Sequence, residues 1–216
     1  MREVVTAARL AVLAAGCAVV TVASGVGAYS DGPPPAHTGG FGEPTCAECH
    51  FGGPSPEAVR LTIEGLPARY AADSTYRLTV VLRAPDLARG GFQMAARYLS
   101  GEARGRQAGE LEAVGPRAEV VTAGGSDSTE GPPTAYARQT LGGSTPPEGR
   151  PADGRLTWTL RWRAPDGARP VAVDVAANAS NDDASEFGDR VVSIRRVVPS
   201  RQDARGRDAA RYDTPR

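Results

Sequence analysis

Leu156, Trp158, Leu160 and Trp162 alternate with Thr157, Thr159, Arg161 and Arg163, and this run constrains the fold more than any other part of the chain. A period of two puts every second side chain on one face of a strand, so four large apolar groups share a face and four polar ones share the other. A helix would scatter the same groups around its circumference. The pattern recurs where Val59, Leu61 and Ile63 alternate with Arg60, Thr62 and Glu64, and where Tyr76, Leu78, Val80 and Leu82 alternate with Arg77, Thr79 and Arg83, interrupted at Val81. Phe92, Met94 and Ala96 share a face, as do Val171, Val173 and Val175, and a last strand is expected near 191–198. Weaker candidates lie over 111–114, 118–122 and 135–140. With 26 Gly and 18 Pro there are few windows long enough for a helix. Strands with one buried face pack best as two antiparallel sheets, so the expected fold is all-β, an immunoglobulin-like antiparallel β-sandwich over 57–198. Arg83-Ala84-Pro85-Asp86 and Arg163-Ala164-Pro165-Asp166 end two strands with the same turn chemistry.

Ahead of the sandwich, 29–56 contains Cys46-Ala47-Glu48-Cys49-His50. This spacing suits covalent haem c: two thiols add across the two vinyl groups of one porphyrin, and the adjacent imidazole meets the iron from the proximal face. Zinc would want a second pair of ligands, and only His37 is spare. A redox dithiol would open a helix in a βαβ unit, whereas Gly39–Pro44 and Gly52–Pro54 read as loop. A structural Cys46–Cys49 disulfide is the remaining alternative.

Residues 1–28 read as an export signal: Arg2 and Arg9 precede an apolar run from Leu10 to Ala28, and Val26-Gly27-Ala28 offers a cleavage site. Left uncut, the run is just long enough for a membrane anchor, which needs about 20 apolar residues. Removal of the signal takes Cys17 with it and leaves Cys46 and Cys49 as the only sulfhydryls, in the extracytoplasmic compartment where haem c is attached. Twenty-five basic residues balance 25 acidic ones, which supplies no field to draw nucleic acid. The charged stretch 199–216 has little to bury and is expected to be disordered.

The order of landmarks resembles the choice-of-anchor V domain, a family related to Reeler domains. The resemblance rests on the run from Thr38 to His50, Ile63-Glu64-Gly65-Leu66-Pro67-Ala68-Arg69-Tyr70, Gly91-Phe92-Gln93, Trp158 to Pro165, and Ala176-Ala177-Asn178-Ala179 with Gly188-Asp189. It implies an exported Reeler-like β-sandwich with a haem c motif at its front edge. Two departures matter. Where the family often has a His in Tyr-x-x-His-Thr, this chain has Gln139, and the family's C-terminal anchor is absent. The sixth iron position then falls to His37, to Met94, or stays open to a small gas, since axial ligands of haem c are His or Met. Phe41, Phe51 and Tyr70 are candidates to shield a porphyrin face.

The loop 181–189 gathers oxygen donors suited to Ca²⁺, although an acidic surface loop is the simpler account. Asn178-Ala179-Ser180 matches a glycosylation sequon. With His50 committed to iron, no general base is left for catalysis, and no enzymatic activity is expected. The expected protein is an extracytoplasmic monohaem c-type cytochrome domain that exchanges single electrons with redox partner proteins, in the periplasm or at the cell surface. A surface adhesion sandwich with a Cys-x-x-Cys disulfide, or a haem-based gas or redox sensor, are the alternatives.

Overall fold

The computed structural model describes residue 29 and residues 31–53, 56–124, 132–146, 154–183 and 185–202. The expected signal with Cys17, parts of the loops after Gly124 and Gly142, Ala184 and the tail from 203 lie outside the described residues.

Ten strands form among the described residues: β1 (Phe51–Gly52), β2 (Arg60–Glu64), β3 (Thr75–Arg83), β4 (Arg89–Tyr98), β5 (Glu110–Ala113), β6 (Ala118–Ala123), β7 (Thr134–Gln139), β8 (Arg155–Arg163), β9 (Val171–Ser180) and β10 (Phe187–Val198). They make a six-stranded sheet in the order β1-β10-β9-β4-β7-β6 and a four-stranded sheet in the order β2-β3-β8-β5. The expected all-β two-sheet sandwich is therefore the fold. Each of the nine expected segments is a strand with antiparallel neighbours. The two-residue β1, too short to show a period, was not expected, and it pairs with β10 in parallel.

The alternation in β8 explains the core. Leu156, Trp158, Leu160 and Trp162 are buried between the sheets. Trp158 stacks on Phe92 of β4 with ring centroids 4.6 Å apart. Each indole N–H donates to a backbone carbonyl at 3.0 Å, Trp158 to Gly143 and Trp162 to Ala108, so neither polar group is stranded in the core.

β9 departs from the one-face reading. Val171, Val173 and Val175 join the core as expected, but Ala172, Asp174, Ala176 and Asn178 on the opposite face are also buried. The reason is tertiary: the chain ahead of the sandwich crosses the outer face of the six-stranded sheet and covers it. The fold also continues past Val198. Ser200 is fully buried, and Tyr70 exchanges backbone hydrogen bonds with Pro199 and Arg201, at 3.0 and 2.8 Å.

Candidate functional site

The covering segment is fastened to β7, β4, β9 and β10 in turn. Arg138 of β7 donates to the Pro33 carbonyl at 2.7 Å. Gln93 of β4 donates to the Pro34 carbonyl at 2.8 Å and accepts from the His37 amide at 2.6 Å. Further along β4, Arg97 is buried and reaches up to Glu43 and to Thr38, donating to the Thr38 hydroxyl at 3.0 Å. Tyr136 of β7 donates its hydroxyl to Glu43 at 2.6 Å. Asp174 of β9 stands 3.7 Å from Arg97 and takes a 2.6 Å hydrogen bond from Arg195 of β10. A Cβ on Gly40 would lie 2.1 Å from the Asp174 carboxylate, so only glycine lets the backbone pass this close. The guanidinium groups of Arg97, Arg195 and Arg104 surround the Phe41 ring at 4.6, 4.9 and 5.2 Å from its centre.

Burial opposes ionisation of Glu43, but hydrogen bonds from Arg97, Thr38 and Tyr136 outweigh it and hold the carboxyl below its ordinary value of 4.5. The stability Glu43 contributes is complete above that ordinary value and is lost as pH falls through the lower folded one. Unfolding free energy measured against pH is expected to fall on the acid side, and a Glu43→Gln variant is expected to lack that component of the slope. An unchanged acid limb in the variant would show that Glu43 is not the titrating group.

Beyond this network the chain makes a single 3-10 turn, Cys46–Glu48, where only loop was expected. Thr45 caps it by accepting from the Ala47 amide at 3.2 Å, and the His50 amide donates to the Cys46 carbonyl at 2.9 Å. The turn leaves Cys46, Cys49 and His50 lining one cavity of about 330 Å³, floored by Gly91 and Phe92 of β4. That volume lies at the lower end of the roughly 300–1,000 Å³ usual for small-molecule and cofactor sites. The Cys46 and Cys49 sulfurs are not joined to each other. Desolvation pushes the Cys46 thiol up to about 12, so the free thiol is protonated near neutral pH.

The imidazole of His50 is tied down from the sheet. Its Nδ1 lies 2.6 Å from Asp189 Oδ2 of β10, and Asn178 Nδ2 of β9 donates to the same oxygen at 2.8 Å. The Asp189 side chain is fully buried. Asn178 Nδ2 also lies 3.1 Å from His50 Nδ1. An ionised carboxylate cannot donate, so in a neutral imidazole facing it the proton sits on Nδ1 and the lone pair on Nε2. This is the arrangement that prepares a histidine for a metal, its far nitrogen bonded to a carboxylate.

The other expected site residues separate. His37 lines the same cavity, with Nε2 3.1 Å from Glu48 Oε2 and Nδ1 2.9 Å from the Pro35 carbonyl oxygen. Met94 does not line it. Its place on the inner face of β4 buries it completely in the sandwich core. Gln139 borders the cavity, but its side chain is occupied, accepting from the Phe92 amide at 2.8 Å where the β4–β7 ladder ends. None of the three aromatic shields borders the cavity. Phe41 lies among the arginines, Tyr70 is in the core with its hydroxyl donating to the Arg169 carbonyl at 2.6 Å, and Phe51 packs edge-on against Phe187 outside. Tyr29 and Phe92 do border it, Phe92 with its ring in the core against Trp158.

The acidic loop is divided among several partners. Asp182 pairs with Arg89 at 2.6 Å, Asp183 accepts from Asn181 at 3.0 Å, and Asp189 turns inward to His50. Among the described residues no three His, Cys, Asp or Glu side chains gather as a metal-ion cluster. Asn178 of the sequon is buried against Asp189, which puts its amide out of reach of a glycosylating enzyme. Sequence reading missed Asp189 and Asn178 as partners of His50. They appear in it only as landmarks, because nothing local says which way a side chain 139 positions away will point.

No family model matches the chain, and no curated protein matches it. Among solved structures it is similar to the human F-spondin reeler domain, at 17% identity and a TM-score of 0.41, covering 70% of this chain and 94% of that one. The Reelin-N domain of F-spondin gives 18% identity and 0.41, covering 72% and 95%. AvmM, described as catalysing macrocyclization in alchivemycin A biosynthesis, gives 12% and 0.42, covering 67% and 89%. Likeness at this level carries no activity, cofactor or partner over to this chain.

Proposed function

We propose that the chain is an extracytoplasmic monohaem c-type cytochrome domain, with haem c bonded through Cys46 and Cys49 and His50 as the proximal ligand. The observation that carries this reading is the convergence of those three residues on one cavity, with His50 Nδ1 anchored to buried Asp189. The resemblance to the choice-of-anchor V domain implies the same group. Haem supplies a one-electron iron couple; the chain supplies attachment and an oriented imidazole.

His37 is the sixth-ligand candidate that the cavity retains, and Met94 drops out with its burial in the core. To ligate, His37 must leave Glu48, so a weakly held sixth position follows from the same contacts. The proposed partners are redox proteins outside the cytoplasmic membrane, and no substrate is converted.

Protein matured in cells with the haem c machinery is expected to be coloured, to carry the mass of one haem, and to keep a c-type pyridine haemochrome band after denaturation. A colourless product of amino-acid mass, with two titratable thiols or a disulfide, overturns the cytochrome reading in favour of an adhesion sandwich. Addition of CO to the reduced protein then reports the sixth position: a shifted spectrum is expected, and an unchanged one would mean a tightly bound ligand there.

A further inference from the structure

Asp189 is a buried carboxylate on β10. Its side chain is fully buried, yet among the described residues no arginine neutralises it. Oδ2 meets His50 Nδ1 at 2.6 Å and Asn178 Nδ2 at 2.8 Å, while Oδ1 is buried without a hydrogen-bond partner. Burying a carboxylate is costly unless its partners compensate, and here the compensation is concentrated on one imidazole and one amide, both at Oδ2. The backbone is shaped to allow this. Gly53 passes so close to β10 that a Cβ there would lie 2.1 Å from the Asp189 carbonyl oxygen, and the parallel β1–β10 pairing holds the chain after His50 against the strand that carries Asp189.

We propose that Asp189 is a positioning residue that sets the electronic character of the proximal ligand: by accepting from His50 Nδ1 it fixes the tautomer and ring direction and makes the imidazole a stronger donor, which favours ferric over ferrous iron. This rests on the cytochrome reading above and adds to it a direction, an iron centre of lowered reduction potential suited to giving electrons to its partners. An electron-rich imidazole stabilises the higher oxidation state, and a hydrogen bond to an anionic carboxylate enriches it more than one to a neutral carbonyl. Asn178 has the opposite influence, since its N–H draws on the same oxygen that serves His50.

The test uses the haem-loaded full chain. Asp189→Asn keeps the size and an accepting oxygen but removes the charge; its midpoint potential is expected to rise and the iron–histidine stretching frequency of the ferrous form to fall, with the haemochrome yield unchanged. Asn178→Ala leaves the carboxylate to His50 alone and is expected to move both readouts the other way. A purely structural role for Asp189 would lower stability in both variants without opposite shifts in potential. Haem-loaded Asp189→Asn with an unchanged potential and stretch overturns this inference and leaves the cytochrome reading standing. Should that variant fail to fold, an unchanged potential in Asn178→Ala does the same. A wild-type chain that takes up no haem overturns the cytochrome reading itself, and this inference with it.

Discussion

The Cys46→Ala/Cys49→Ala double variant, matured with the haem c machinery, is expected to fold and to lose all covalently held haem, whereas each single variant keeps one thioether. Neither cysteine contributes to the hydrophobic core, and the turn that carries them is held by Thr45 and by backbone hydrogen bonds, so truncation leaves the sandwich intact. A vinyl group left unsaturated extends the porphyrin conjugation, so each single variant should show its haemochrome band at longer wavelength than the wild type. Mass spectrometry of the denatured proteins separates the outcomes. A double variant that still carries haem covalently would mean that the group is held by something other than these thiols.

Arg97→Ala is expected to lower the unfolding free energy by about 3–5 kcal/mol, the usual cost of removing one partner from a buried ion pair. Arg97 is the only cation that reaches Glu43 among the described residues, and it also approaches Asp174 and packs on Phe41. Its loss leaves the partly buried Glu43 carboxylate without a cation, with Thr38 and Tyr136 as its remaining donors, and unfastens the segment 38–43 from the sheet. Chemical denaturation checks the magnitude. The position of the damage has a second readout: the Cys46–His50 turn follows directly on that segment, so haem attachment in the variant is expected to fall along with stability. A change below about 1 kcal/mol, typical of surface ion pairs, would mean that the covering segment is held by its backbone contacts instead.

The strands were legible because each lays one face on the core, and burial of one face writes a period of two into the sequence. β8 shows this most plainly, with Leu156, Trp158, Leu160 and Trp162 inward and the threonines and arginines outward. β9 was legible only in part. Its alanines, Asp174 and Asn178 give no sign that a second layer will cover them, since small residues suit both an exposed strand and a close backbone crossing. The Cys46–His50 motif proposed to bind haem was visible because its three residues are close neighbours in sequence. Asp189 and Asn178 were not visible as its partners, because they join it through the pairing of β10 with β9 and of β1 with β10. The sixth-ligand question divides in the same way: Met94 and His37 are equal candidates on chemistry, and only the inner-face placement of one and the cavity-lining placement of the other tell them apart.

The sequence alone determined the all-β class, the strand positions and the Cys-x-x-Cys-His spacing on which the proposed haem site rests, because these depend on local periodicity and on covalent spacing. The tertiary structure alone decided that the leading segment seals the outer face of the larger sheet through Arg97 and Glu43, and that His50 meets a buried carboxylate. Both depend on contacts between residues far apart in the chain, where direction and distance come from packing and leave no pattern in the order of the amino acids.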